Sequence, residues 1–274
     1  MTTIQPSRPS LTSNDSAVLQ ALFDAESSPS AAVTIDPSLP AYPVHLNLPG
    51  PDSEAFESLK QRELSIVRSL QQPTSTSNTT TTTLPSQTIH SAIQDLDALI
   101  TEYPTYPSAY VNRAQALRTL IDHQSTPPST SSSTSNQEDQ TSSTLFSPQN
   151  APHTTTLFND LSQAITLSTP LSPADPASST QARILADAHT HRGYLLLRAA
   201  RWKRTHPDSE SGPEKLRGVE PDQLEEMASR DFFMGGRFGN KVAQQLAVQT
   251  NPYAKACGAI VKEALRKEME GGEV

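Results

Sequence analysis

AIQDLDALITEYPTYPSAYVNRAQAL, residues 92–117, decides how this chain folds. Ile93, Leu96, Leu99 and Ile100 recur at helical spacing, and Pro104 ends that run because proline lacks the N–H a helix interior needs. Tyr110, Ala114, Leu117 and Ile121 then share one face of a second run over 107–122. The stretch reads as two helices joined by a tight turn. Small residues, Ala92 and Ala114, alternate in it with the larger Leu96, Tyr110 and Leu117.

The same arrangement returns along the chain. Residues 157–168 carry Leu157, Leu161 and Ala164. HTHRGYLL, 189–196, puts Gly193 at the small place, and ASRDFFMG, 228–235, follows with Ala228, Phe232 and Gly235. Residues 56–69 supply an earlier helix, with Ile66 where a small residue is expected. Helical periodicity also marks Asn14 to Asp24, 52–72, 89–103, 156–168, 181–203, 222–235 and 240–249. A last helix is opened by Asn251-Pro252 and runs through Cys257, Ile260 and Leu265. It either caps the helix array or offers its apolar face to a partner. No alternating strand pattern appears, so the chain is expected to be all-α.

These spacings resemble three tetratricopeptide repeats, each split between its two helices by a polar insertion. An unrelated helical bundle is the alternative, since small residues also serve ordinary close packing. Four segments together are similar to the tetratricopeptide repeat protein 36 family: NDSAVLQALFD at 14–24, SAYVNRAQA at 108–116, ASRDF at 228–232 and NPYAKACGAIV at 251–261. That resemblance implies an α-α superhelix of three helix pairs with flanking helices, a protein-binding role and, from animal members, a link to tyrosine breakdown. The long low-complexity insertions suit a fungal member. The implied organisation is a disordered N-terminus (1–12), an N-terminal helix and extended segment (13–51), three repeats (52–250) and a C-terminal capping helix (251–274). Disordered loops are expected at 73–88, 124–155 and 204–221.

Composition supports a small core diluted by polar tracts. Only 34% of the residues are hydrophobic, against about 45–50% in a typical globular chain. The Ser/Thr/Pro tracts cannot bury enough apolar surface to fold. No apolar run approaches the ~18 residues of a membrane span, and MTTIQPSRPS lacks a basic-then-apolar leader. The expectation is a soluble intracellular chain, cytoplasmic or nuclear. A net charge of −8 provides no basic footprint for nucleic acid.

The residues give no support to catalysis. Cys257 is the single cysteine, so there is no CxxC motif, and a packed helical thiol is its expected state. His189 and His191 diverge by about 200° on a helix and cannot ligate one metal from one face. GGRFG at 235–239 lacks phosphate-loop spacing and reads as a helix end and turn. No metal or other cofactor is expected.

The groove lined by the first helices is the candidate working surface, with Tyr110, Asn112, Arg113, His191 and Arg192 as candidate partner contacts. Glu63, Val67 and Asp187 face the same groove. Tyr110, Arg113 and Arg192 also suit packing or pairing between helices. A chaperone-tail clamp needs Lys, Asn and Arg at set places, and only Asn112 matches, so an EEVD-type tail is not an expected ligand. The expected function is a non-enzymatic adaptor or scaffold for an unidentified protein. Resemblance alone implies a chaperone-like role towards a metabolic enzyme. The alternative is a regulatory subunit acting through phosphorylatable Ser/Thr-rich insertions. PSLPAYPVHLNLP, within 25–51, is able to lie along the groove as an extended strip.

Overall fold

In the computed structural model, Ser53 opens the first helix, its Oγ accepting from the Phe56 amide at 3.1 Å. The structure describes residues 33–71, 86–124, 144–172, 175–207 and 212–251, with Glu263 and Arg266 singly. Helix α1 spans Glu54–Gln71, α2 Ser86–Glu102, α3 Pro107–Gln124, α4 Ala151–Ser168 and α5 Ser179–Thr205. The one-turn α6 spans Glu214–Arg217, α7 Pro221–Arg237 and α8 Lys241–Thr250. Short 3-10 turns occupy Val44–Leu46 and Pro148–Asn150. Among the described residues the only extended pairing is an isolated parallel bridge between Ile35 and Ala177. The fold is all-α. The expected helix at Asn14 to Asp24, and most of the one at 251–274 with Cys257, lie outside the described residues.

Local chemistry sets the helix ends. Proline occupies the first helical position of α3 and α7, where its missing N–H costs nothing. Ser178 and Gln181 form a reciprocal capping box on α5. The Asn240 side chain accepts from the Ala243 amide to open α8. Gly239 turns the chain between α7 and α8 at φ 103°, a backbone angle that favours glycine.

The helices pack in chain order: α1 on α2, α2 on α3, α3 on α4, α4 on α5, α5 on α7 and α7 on α8. The alternate helices α1, α3 and α5 also touch in turn. A main core runs from α3 to α8, and a second joins α1, α2 and the start of α3. The small residues sit at the crossings. A Cβ added to Gly193 on α5 meets the Phe232 ring at 3.0 Å, and one on Gly235 of α7 meets Ala243 of α8 at 3.2 Å. GGRFG is a helix end and turn, as its sequence reads. Gly235 and Gly236 belong to the last turn of α7, and only Gly239 makes the bend.

Three loop boundaries differ from expectation. Helix α2 begins at Ser86, inside the tract expected to run to 88. The tract 124–155 ends early: Leu145 and Phe146 are buried, and α4 begins at Ala151. Near the start of α4, Thr154, Thr155 and Thr156 satisfy their hydroxyls by donating to the carbonyl four residues earlier. Within 204–221, Leu216 is buried, and Lys203 Nζ donates to the carbonyls of Leu216, Arg217 and Val219 at 2.6–2.7 Å. A single cation thus organises the turn around α6.

Candidate functional site

The row α1, α3, α5 carries the residues singled out in the sequence, and the structure separates them into two kinds. Tyr110 is buried and donates its hydroxyl to the Pro104 carbonyl at 2.8 Å. Arg113 forks onto Asp160 of α4, with Nε–Oδ2 2.8 Å and a terminal nitrogen 2.6 Å from Oδ1, and also reaches Asp97. Arg192 forks in the same way onto Asp231 of α7, both bonds 2.7 Å. These three are internal ties. The two forks are equivalent: each Arg directly precedes the small crossing residue (Ala114, Gly193), and each Asp directly precedes the large one (Leu161, Phe232). His189 Nδ1 completes the second tie, 2.8 Å from Asp231. Burial pushes the Asp231 carboxyl up, but Arg192 and His189 outweigh it and hold the group below its ordinary value.

Asn112 and His191 remain on the row itself. Asn112 donates to Glu63 at 2.6 Å. The same carboxylate accepts from the hydroxyls of Tyr106 and Ser108. Glu63 thus ties α1 to α3. His191 lies beside Arg118 of α3, and its Nε2 is buried with no hydrogen-bond partner. Burial, with the Arg118 charge adding to it, pushes the imidazole pKa down to about 3. Neighbouring residues therefore diverge: Arg192 turns to α7 and His191 to α3.

Residues 33–51 cover one end of this row. Tyr42 packs edge-on against Phe56 of α1 and against Tyr106, with ring centroids 6.0 and 5.4 Å apart. Its neighbours also include Glu63, Ser108 and Arg183, so it touches the surroundings of α1, α3 and α5 alike. Burial, reinforced by the Glu63 charge, pushes the Tyr42 hydroxyl up to about 12. Thr105 donates to the Leu46 carbonyl, Ser178 to that of Ala41, and Asp36 and Ala177 exchange backbone bonds with the opposite segments. The extended strip is thus a strap held at both ends.

Farther along the row, Arg118 stands 4.8 Å above the Tyr194 ring and Arg198 5.8 Å from it. Arg118 also pairs with Asp122 at 3.5 Å. Sequence reasoning missed Tyr42, Arg118 and Tyr194. The signal for Tyr42 was present, an aromatic between two prolines in PAYP. Among the described residues no group of three or more His, Cys, Asp or Glu is placed to hold a metal ion, and no helix is long and apolar enough to cross a membrane.

The fold and this face define an all-helical protein of successively stacked helices, one row of which is strapped by its own N-terminal segment. The chain is 64% identical over 272 residues to the L-tyrosine degradation gene cluster protein hmgX of Aspergillus fumigatus, spanning 98% of each chain. It belongs to the family of that protein. No family model matches the chain, and no solved structure matches it.

Proposed function

We propose that this chain is a non-catalytic protein-binding module that serves tyrosine degradation. It is built as a tetratricopeptide-type superhelix, of the kind the tetratricopeptide repeat protein 36 family represents. The helix pairs are α1–α2, α3–α4 and α5–α7, with α8 outside them. The repeated Arg–Asp fork carries the repeat reading: one contact, at one place relative to the small and large residues, recurs between α3 and α4 and between α5 and α7. Chain-order packing supports it as well. The full-length likeness to a tyrosine degradation cluster protein supports the pathway.

The working surface is the part of the α1–α3–α5 row beyond the strap, centred on Arg118 and Tyr194. Tyrosine and arginine, here the Tyr194 ring under the Arg118 guanidinium, are enriched at energetic contacts between proteins. The partner is an enzyme of tyrosine breakdown in the cytoplasm, held or stabilised by the module. An EEVD-type chaperone tail is not the ligand, because Asn112 is engaged with Glu63. The Ser/Thr-rich tracts of the alternative, regulatory reading lie largely outside the described residues.

Complementation tests this reading. Cells lacking the chain should grow poorly with tyrosine as sole carbon source. The wild-type chain should restore growth, and Arg118→Glu should not, at equal protein level. Normal growth of the deleted cells, or full rescue by Arg118→Glu, would count against the reading.

A further inference from the structure

A cleft of about 340 Å³ opens between α4, α5, α6 and α7. None of its lining belongs to the strap or to the Arg118–Tyr194 stack. Its floor is apolar: Phe158, Leu196 and Leu216 are buried, and Met227 lies exposed at the edge. Its charge is lopsided. Arg192, Lys215 and Arg230 line it against one carboxylate, Asp231, in a chain of net charge −8.

That carboxylate is already engaged by Arg192 and His189. Arg192 gives its third bond to Ser162 at 3.3 Å, and a guanidinium has five N–H donors, so two are left. Lys215 is bound to a neutral acceptor, the Asn159 amide oxygen, at 2.9 Å. Arg230 pairs with Glu226 through an exposed contact, which water screens to little. The cleft therefore has an excess of positive charge over an apolar floor, with Lys215 and Arg230 exposed along it. Its volume lies at the small end of ligand pockets, about 300–1,000 Å³, which favours a small molecule over a helix or a folded surface.

We propose that this cleft binds a small monocarboxylate with an apolar body. The carboxylate sits between Lys215, Arg230 and the free donors of Arg192, and the body lies on Phe158, Leu196, Leu216 and Met227. This site is independent of the protein-binding surface on α1, α3 and α5.

Isothermal calorimetry on the full chain at low salt tests it, with 3-phenylpropionate as the probe. The neutral 3-phenylpropionamide and a short peptide ending in phenylalanine serve as comparison arms. Saturable binding of the acid is expected, with the amide about tenfold weaker, as loss of a charge-assisted contact implies. Replacing both exposed cations, Lys215→Ala with Arg230→Ala, should weaken the acid by a similar factor. Met227→Glu, a surface change that adds a carboxylate at the edge, should abolish binding while circular dichroism stays unchanged. The proposal fails if the acid does not saturate, if the amide binds equally well, or if neither variant alters the affinity. Tighter binding of the peptide than of the free acid would overturn the small-molecule assignment.

Discussion

His191 sits where two helices of the row meet, and its ring is neutral in the folded protein because burial and Arg118 both oppose its charge. Its pKa, about 3, lies below the ordinary value of 6.5. Above pH 6.5 both folded and unfolded forms are neutral, and the group does not affect stability. As pH falls below that, the unfolded chain takes up a proton that the folded chain refuses, so stability falls. The loss is at most about 1.4 kcal/mol per pH unit. His191→Leu removes it. Urea unfolding at pH 7, 5.5 and 4 should show the variant gaining on the wild type as pH drops, whereas parallel curves would place the ring in water. At this scale the sequence was only partly legible. The resemblance to repeat positions marked Tyr110, Arg113 and Arg192 as suited to packing or pairing between helices, and in the structure each is bonded internally. It did not reveal the partners, because Asp160 lies 47 residues beyond Arg113 and Asp231 lies 39 beyond Arg192. Pairing at that distance is decided by how helices stack, which a local pattern does not encode.

Gly235 shows what an element needs from a neighbour. A Cβ there meets Thr190 Oγ1 at 2.7 Å, the Ala186 carbonyl at 3.2 Å and the Ala243 Cβ at 3.2 Å, so α5, α7 and α8 converge on one hydrogen atom. Gly235→Val should cost about 2 kcal/mol by overpacking, despite valine's better helix propensity. Gly218→Ala, where nothing lies within 4 Å, should stay within about 0.5 kcal/mol. Denaturant midpoints compare the two, and equal effects would contradict the close crossing. The helices themselves were readable from periodicity because each buries a stripe. Their ends were less so. Composition marked 144–155 as loop, but Leu145 and Phe146 anchor it from within a polar tract, and Thr154 at the start of α4 donates back to the Leu145 carbonyl.

Among the described residues packing proceeds helix by helix, and residues 33–51 cover one end of the α1, α3, α5 row. The strap was foreseeable as an extended Pro-rich strip. Its seat was not, because Tyr42 meets Phe56, Tyr106 and Glu63 only after α1 and α3 are side by side. The remaining face, where Arg118 stands over the half-buried Tyr194 ring, is the proposed seat of the partner. Affinity capture of the full chain from its own cells grown on tyrosine, beside Arg118→Glu and Tyr194→Ala, tests this most directly. The expected result is an enzyme of tyrosine breakdown that accompanies the wild type and is lost from both variants while their helical circular dichroism is unchanged. Recovery of that enzyme equally with the variants, or of no such enzyme with the wild type, would contradict it.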